Sequence, residues 1–375
     1  MFFYGLNVVS DFHIIGGGII GMMTAKELVD AGAQITIIDR GAFAKESSWA
    51  GGGILSPLYP WRYPKPVNEL AYQSQTIYSE YCMNLFENTG IDPEWTKNGL
   101  LIHDAAYDLP ACQQWLELFP TDYELLTGED IRQKEPEIAL FSQQAIYLSE
   151  IAQVRNPRLS QALKSYLVQK GVEIKEYCEV KKIACSHSRI DQLITTGGNI
   201  EVKQLIVAGG AWSAQILKTV GLAIPIRPVK GQMVLFFDKK QRVRNIFLAD
   251  SHYAIPRRDG HILIGSTMEE TQFDKSTTVN GLKELKSFAV KWFPFMTELS
   301  VVQHWAGLRP GSTEGIPYIG QVPGIAGLSV NAGHFRNGVV TGPASARLLA
   351  DILLKRVPQL AAEPFSLHEE QLISA

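Results

Sequence analysis

HIIGGGIIGMMTAKELVDAGAQITIIDR, His13 to Arg40, reads as a complete βαβ unit close to the N-terminus. Gly16, Gly18 and Gly21 supply G-x-G-x-x-G directly after an apolar strand and at the opening of an amphipathic helix. The three glycines do different things. Gly16 makes the tight turn, Gly18 lets the backbone approach a pyrophosphate, and Gly21 lets helix and sheet pack closely. The phosphates would sit at the helix N-terminus, where unpaired N–H groups and the helix dipole favour an anion. A second strand, QITIID, ends on Asp39, 18 positions after Gly21. An acid there accepts both ribose hydroxyls, which favours FAD or NAD(H) over a cofactor with a 2′-phosphate. Isolated glycines also serve ordinary turns, so the weight rests on strand, turn, helix, strand and acid standing in register.

Beyond Asp39 come a small-residue loop, SSWAGGGILSP, and a segment YPWRYPKPVN that is expected to be irregular because its prolines cannot donate hydrogen bonds. Asn68 to Thr89 has helical spacing of Leu70, Ile77, Tyr81 and Leu85, with Gly90 as its stop. From Ile91 to Glu150 the pattern is mixed, with a short strand GLLIHD and a helix around Ala111 to Leu118. Asn156 and Pro157 read as the cap and first turn of a further helix that Gly171 ends. The strands VEIKEY and VKQLIVAGG then return to the texture of a buried parallel sheet. After Ala223 the segments GQMVLFF, YAIPR and HILIGSTM are β-like, with a charged helix from Gly281 to Lys291. The stretch IAGLSVNAGHFRNGVVTGPASARLLADILL repeats the opening grammar of strand, glycine turn and helix. The expected fold is therefore α/β, α+β overall. A discontinuous Rossmann-like cofactor domain (1–90, 151–222 and 303–375) is interrupted twice by a β-rich substrate-binding domain (91–150 and 223–302).

The 375 residues carry a net charge of -3, with 46% hydrophobic and 19% charged residues. That balance gives no basic field for nucleic acid or an anionic membrane, and no apolar run is long enough to span a bilayer. Cys82, Cys112, Cys178 and Cys185 form no C-x-x-C or metal-ligand pattern, so no metal is expected. Sparse cysteine and an N-terminus without a basic signal region fit a reducing cytoplasm.

These features alone leave a dinucleotide flavoprotein and a dehydrogenase both open. LIVAGGAWS, Leu205 to Ser213, resembles the second signature of FAD enzymes. HWAGLRPGSTEGIPYIG, His304 to Gly320, and AGHFRNGVVTGPA, Ala332 to Ala344, resemble the D-amino-acid oxidase superfamily and, within it, the glycine oxidases of thiamine biosynthesis. SSWAGGGILSPLYPWRY looks like the flavin-side loop of that group, and HYAIPRRDGHILIGSTM like its substrate-side hairpin.

The resemblance implies FAD, held without a covalent bond because no cysteine follows Cys185. It implies adenosine and pyrophosphate contacts at Gly16, Gly18, Ile19, Ile20, Asp39, Arg40 and Val180. Ser47, Ser48, Gly52 and Gly53 would lie along the pyrophosphate and flavin. His334, Phe335, Arg336, Asn337, Gly338, Val339 and Val340 would wrap the flavin ring. Arg309 matches the family's carboxylate clamp and Tyr253 its substrate phenol, with Arg336 and Met268 as further pocket residues. An arginine suits a carboxylate because its planar, permanently charged fork pairs with both oxygens.

The expected chemistry is hydride transfer from the α-carbon of glycine, sarcosine or a small D-amino acid to flavin N5. Dioxygen then reoxidises the flavin with release of hydrogen peroxide. No histidine is assigned a proton transfer; His252, His304 and His334 read as hydrogen-bonded packing. Relatives commonly form homotetramers, which implies a homo-oligomer. The alternatives are a D-amino-acid dehydrogenase that reduces a quinone, and a flavin-binding accessory protein.

Overall fold

The computed structural model describes residues 10–103, 108–139 and 144–368, and the backbone of 373–374. Its first sheet has six strands in the order Tyr318–Gln321, Leu328–Ala332, Leu205–Val207, Phe12–Ile15, Ile35–Ile38 and Glu173–Lys175. All neighbours run parallel except Tyr318–Gln321, which is antiparallel to Leu328–Ala332. The runs FHII and ITII are buried at every position, as required of strands covered on both faces. Alternation divides them between two layers. Ile14, Ile37 and Ile206 pack with the helices Ile19–Asp30, Lys65–Thr89, Asn156–Gln169 and Gly338–Leu353. Ile15, Ile38 and Val207 pack on the other side against Ile183, Ile190 and Leu193 of a three-stranded antiparallel sheet.

The second sheet is mostly antiparallel and is built around Arg227–Phe237, which pairs with Val301–Gly311, His261–Gly265 and Glu269–Glu270. His252–Pro256, Ile246–Ala249, Leu100–His103, Gln144–Leu148 and Tyr123–Thr127 extend it, with one parallel pairing between Ile246–Ala249 and Leu100–His103. One face is covered by the helix Val279–Trp292, whose Phe288 and Trp292 pack with Val234, Phe236 and Phe247. The alternate residues Met233, Tyr253 and Leu263 point the other way.

Three expectations are corrected. The helix expected from Asn68 begins at Lys65, and Pro60–Arg62 forms a 3-10 turn, because a proline in the first turn costs no intrahelical bond. Asn156 is the first helical residue rather than the cap, which is Arg155, and the Asn156 side chain is buried. The boundary expected between 302 and 303 falls inside Val301–Gly311, which stays paired with the second sheet as far as Gly311. Among the described residues no helix is long and apolar enough to cross a membrane.

Candidate active site

A cleft of about 380 Å³ lies where the C-terminal ends of the parallel strands face the second sheet, the usual ligand position in such folds. Gly16, Asp39, Ala208 and Gly333 each follow directly on one of those strands and line it. Gly16 has φ +116, and a Cβ there would meet the Ala208 carbonyl oxygen at 2.3 Å. A Cβ on Gly21 would stand 2.0 Å from the Gly16 oxygen, so Gly21 seats the helix beneath the turn and does not line the cleft. Gly18 caps the helix without a side chain, and the first turn carries no acid, so its N–H groups are open to an anion apart from Ile19, which donates to Ser48 Oγ at 2.9 Å. Asp39 accepts from the N–H of Gly17 at 2.7 Å and of Gly41 at 2.8 Å. Burial pushes its carboxyl upward against those two bonds. Ile19, Ile20, Arg40 and Val180 line the same end.

A bridge from the second sheet crosses this end. Arg40 stacks 3.8 Å from the Trp212 ring, and Trp212 stacks on Phe273 at 5.4 Å between ring centres. Glu46 takes Arg40 at 3.3 Å and Lys275 at 2.8 Å. Further along, Ser47, Ser48, Gly52 and Gly53 form one wall. This loop is drawn against Val301–Gly311: Trp305 donates to the Ala50 oxygen at 3.2 Å, and a Cβ on Gly307 would meet Ala50 Cβ at 2.5 Å.

At the far end stand Tyr253, Met233, Arg309 and Arg336. Arg309 donates from Nη2 to Ser266 Oγ at 2.6 Å and from Nη1 to the carbonyl oxygens of Thr267 at 3.3 Å and Lys230 at 3.4 Å. Among the described residues it has no carboxylate partner. Burial, with the charge of Arg336 in second place, pushes it down to about 10, which leaves it a cation at neutral pH. The Tyr253 hydroxyl interacts with Arg309 and donates to Met233 Sδ at 3.4 Å. Two hydrogen bonds tie the clamp strand to the last loop: Phe335 N–H to the Pro310 oxygen at 2.9 Å, and Ser312 Oγ to the Gly333 oxygen at 2.6 Å.

His334, Phe335, Arg336, Asn337, Gly338 and Val339 all line the cleft, whereas Val340 is buried in the helical core. His334 is engaged by Asn331 and Thr341 at 2.9 Å each, and burial pushes it down to about 3, so it is neutral and fixed. His252 lies outside the cleft, bound to the Asp250 oxygen and Glu284. Met268 is placed differently from expectation: Ser266 and Thr267 turn inward to meet Arg309, and Met268 is 63% exposed and lines no part of the cleft. Met233, Gly231 and Ser266, which sequence reasoning missed, form the seat of Arg309 and Tyr253. The available signal was the glycine that opens GQMVLFF, since a glycine inside a strand marks a close approach.

The glycine cradle, open helix N-terminus and terminal acid fit a dinucleotide, and the unpaired cation at the other end fits a carboxylate. Residues 11–352 match the family described as FAD dependent oxidoreductase, DAO, and the chain belongs to that family. It is a FAD-dependent oxidoreductase. The chain is 43% identical over 354 residues to the glycine oxidase of Pseudomonas aeruginosa, covering 94% of this chain and 97% of that one. It is similar to the crystal structure of glycine oxidase from Geobacillus kaustophilus, with a TM-score of 0.91, 30% identity and coverage of 96% and 98%. The bifunctional protein ThiO/ThiG of Synechocystis is 29% identical over 93% of this chain, which spans 52% of that longer protein.

Proposed function

We propose that this protein is a glycine oxidase, converting glycine, water and dioxygen to glyoxylate, ammonia and hydrogen peroxide. The observation that carries the reading is the Arg309 guanidinium, fixed by three hydrogen bonds, lining the cleft with no carboxylate partner among the described residues and beside the Tyr253 hydroxyl. The relatives named glycine oxidase support it. When bound, FAD supplies the two-electron acceptor for the substrate's α C–H bond, and dioxygen reoxidises it.

The chain's own part is placement. Arg309 takes the substrate carboxylate in its fork, and Tyr253 donates a second hydrogen bond to it, which fixes the α-carbon against the cofactor. Arg309 and Arg336 also disfavour a second positive charge beside them, so the amine binds in its neutral, reactive form. His334, neutral and doubly bound, moves no proton. The FAD is non-covalent and comes away on denaturation. Sarcosine and small D-amino acids are secondary substrates. The fused ThiO/ThiG relative, with the motif resemblance, supports thiamine thiazole synthesis as the destination of the product. A homo-oligomer in the cytoplasm completes the reading, and light scattering tests the assembly.

The decisive experiment is anaerobic addition of glycine to the yellow protein, which should bleach the flavin, with recovery and peroxide release in air. Arg309→Ala should keep FAD and raise the KM for glycine on the order of 100-fold, since truncating one partner of a buried charge pair costs about 2–5 kcal/mol. A flavin spectrum unmoved by glycine, sarcosine and small D-amino acids overturns the proposal. Slow recovery in air with fast recovery on a quinone analogue replaces dioxygen as the acceptor.

A further inference from the structure

Arg257 follows directly on His252–Pro256, the strand that carries Tyr253, but it does not line the cleft. Nη2 donates to the Gly52 carbonyl oxygen at 2.6 Å; Nη1 donates to Gln153 Oε1 at 2.5 Å and to the Val154 oxygen at 3.0 Å. Gln153 is held in turn, donating to the Pro256 oxygen at 2.7 Å and Asn98 Oδ1 at 3.2 Å. Val154 N–H donates to the Gly53 oxygen at 2.9 Å. In front of this network, Gly52 faces the cleft so closely that a Cβ would lie 3.1 Å from the Tyr253 ring and 2.8 Å from Ile255. The guanidinium therefore joins the flavin-side loop to the strand bearing the substrate phenol.

Among the described residues its charge has no direct partner. The nearest carboxylates are Glu94 and Asp259. Arg155 engages both, at 3.3 Å and 2.7 Å. Burial, reinforced by Arg155, pushes Arg257 down to about 10, so it is still a cation at neutral pH. A part-buried cation without an ion pair costs more to keep than a neutral amide, which would still supply two of the three donated hydrogen bonds that a purely structural staple uses.

We propose that Arg257 is a positioning residue for the flavin ring: it fixes the Gly52–Gly53 wall through the Gly52 carbonyl and holds one positive charge behind that wall. The inference rests on the reading that the reacting ring lies at the Tyr253–Arg309 end of the cleft. A fixed positive charge there favours the negative charge that grows on the flavin as it is reduced.

The test compares Arg257→Gln, which keeps two donors and loses the charge, with Arg257→Lys, which keeps the charge and loses the fork. The readouts on the FAD-loaded protein are the flavin reduction potential, by dye equilibration, and glycine kinetics. Arg257→Gln should lower the reduction equilibrium on the order of tenfold, about 30 mV for a two-electron couple. It should lower kcat while the KM for glycine changes by less than about threefold, because Arg309 is untouched. Arg257→Lys should hold the potential within about threefold of the parent equilibrium. An unchanged potential in FAD-loaded Arg257→Gln overturns the proposal. So does a loss in Arg257→Lys as large as in Arg257→Gln. If Arg257→Gln does not retain FAD, a reduction equilibrium in Arg257→Lys that falls about tenfold or more overturns the proposal, and one within about threefold of the parent supports it. Failure here with a normal Arg309→Ala effect sinks this inference only; an Arg309→Ala protein with unchanged glycine KM sinks the site reading beneath it.

Discussion

Gly231→Ala separates the clamp from the fold that carries it. Gly231 lies in Arg227–Phe237 opposite Gly307, and Arg309 passes over it from the neighbouring strand. A Cβ at 231 would stand 2.1 Å from Nη2 and 2.4 Å from Cζ of Arg309, where ordinary contact begins near 3.4 Å. The guanidinium must retreat by more than an ångström, and its 2.6 Å bond to Ser266 cannot follow it. A hydrogen bond to a charged group contributes about 1.5–3 kcal/mol, so losing one equivalent contact to the substrate carboxylate lowers kcat/KM about 10- to 150-fold. Gly231 does not have a positive φ, so alanine is compatible with its extended backbone. The stiffer unfolded chain then offsets part of the strain, by about 0.4–1 kcal/mol. Steady-state glycine kinetics, FAD content and thermal unfolding should therefore diverge: FAD and melting temperature are retained while kcat/KM falls. A folded, FAD-loaded Gly231→Ala with kcat/KM within about threefold of the parent would refute the reasoning, because the close approach would then not govern Arg309.

Three other outcomes are expected. The Glu135 carboxyl, buried beneath the N–H groups of Arg244 and Asn245, is pushed up from 4.5 to about 7 by burial. A folded pKa above the unfolded one means that stability falls as pH rises through that window, on the order of 3 kcal/mol between pH 4.5 and 7. Urea unfolding at several pH values checks this, and Glu135→Gln should flatten the slope; an identical slope would count against it. Loss of the Phe273 stack and the Lys275–Glu46 pair, in Phe273→Ala with Lys275→Ala, should speed FAD release on the order of tenfold, read by flavin fluorescence. Added salt should reproduce part of that effect in the parent protein, and identical release rates would show that the bridge holds nothing. Gly21→Ala places Cβ 2.0 Å from the Gly16 oxygen, so the helix must shift and FAD affinity should drop sharply by equilibrium titration; unchanged affinity would deny the turn its role.

The opening unit was legible because its chemistry is local. Strand, turn, helix and acid stand within 28 residues, and each part constrains its neighbours in the chain. The second sheet was legible as texture but not as boundary: the strand through Arg309 ends in Pro310 and Gly311, and only its long pairing with Arg227–Phe237 shows which side it belongs to. Pro66 and Asn156 misled for a related reason, since the same residue types serve just inside or just outside a helix start. Met268 was expected in the pocket from the resemblance of its hairpin to that of the family. Whether it points in or out depends on Ser266 and Thr267 turning toward Arg309, a contact 43 residues distant for Ser266. Gly231 and Arg257 act across still longer separations, through the empty space of one and the hydrogen bonds of the other.

The two hydrogen bonds between the clamp strand and the last loop, at Pro310–Phe335 and Ser312–Gly333, make the chain its own gauge. On the proposed reading Arg309 stands at one end of an interval and the cofactor-side loop at the other, with the first bond on the residue next to Arg309. On that reading the interval corresponds to the span from a carboxylate to its α-carbon, which every α-amino acid shares. It does not register what hangs beyond that carbon. On the proposed reading, breadth of substrate falls to the side chains beside Arg309, Met233 and the Tyr253 ring. A larger amino acid is best accommodated by shortening Met233 while residues 309–335 are left alone.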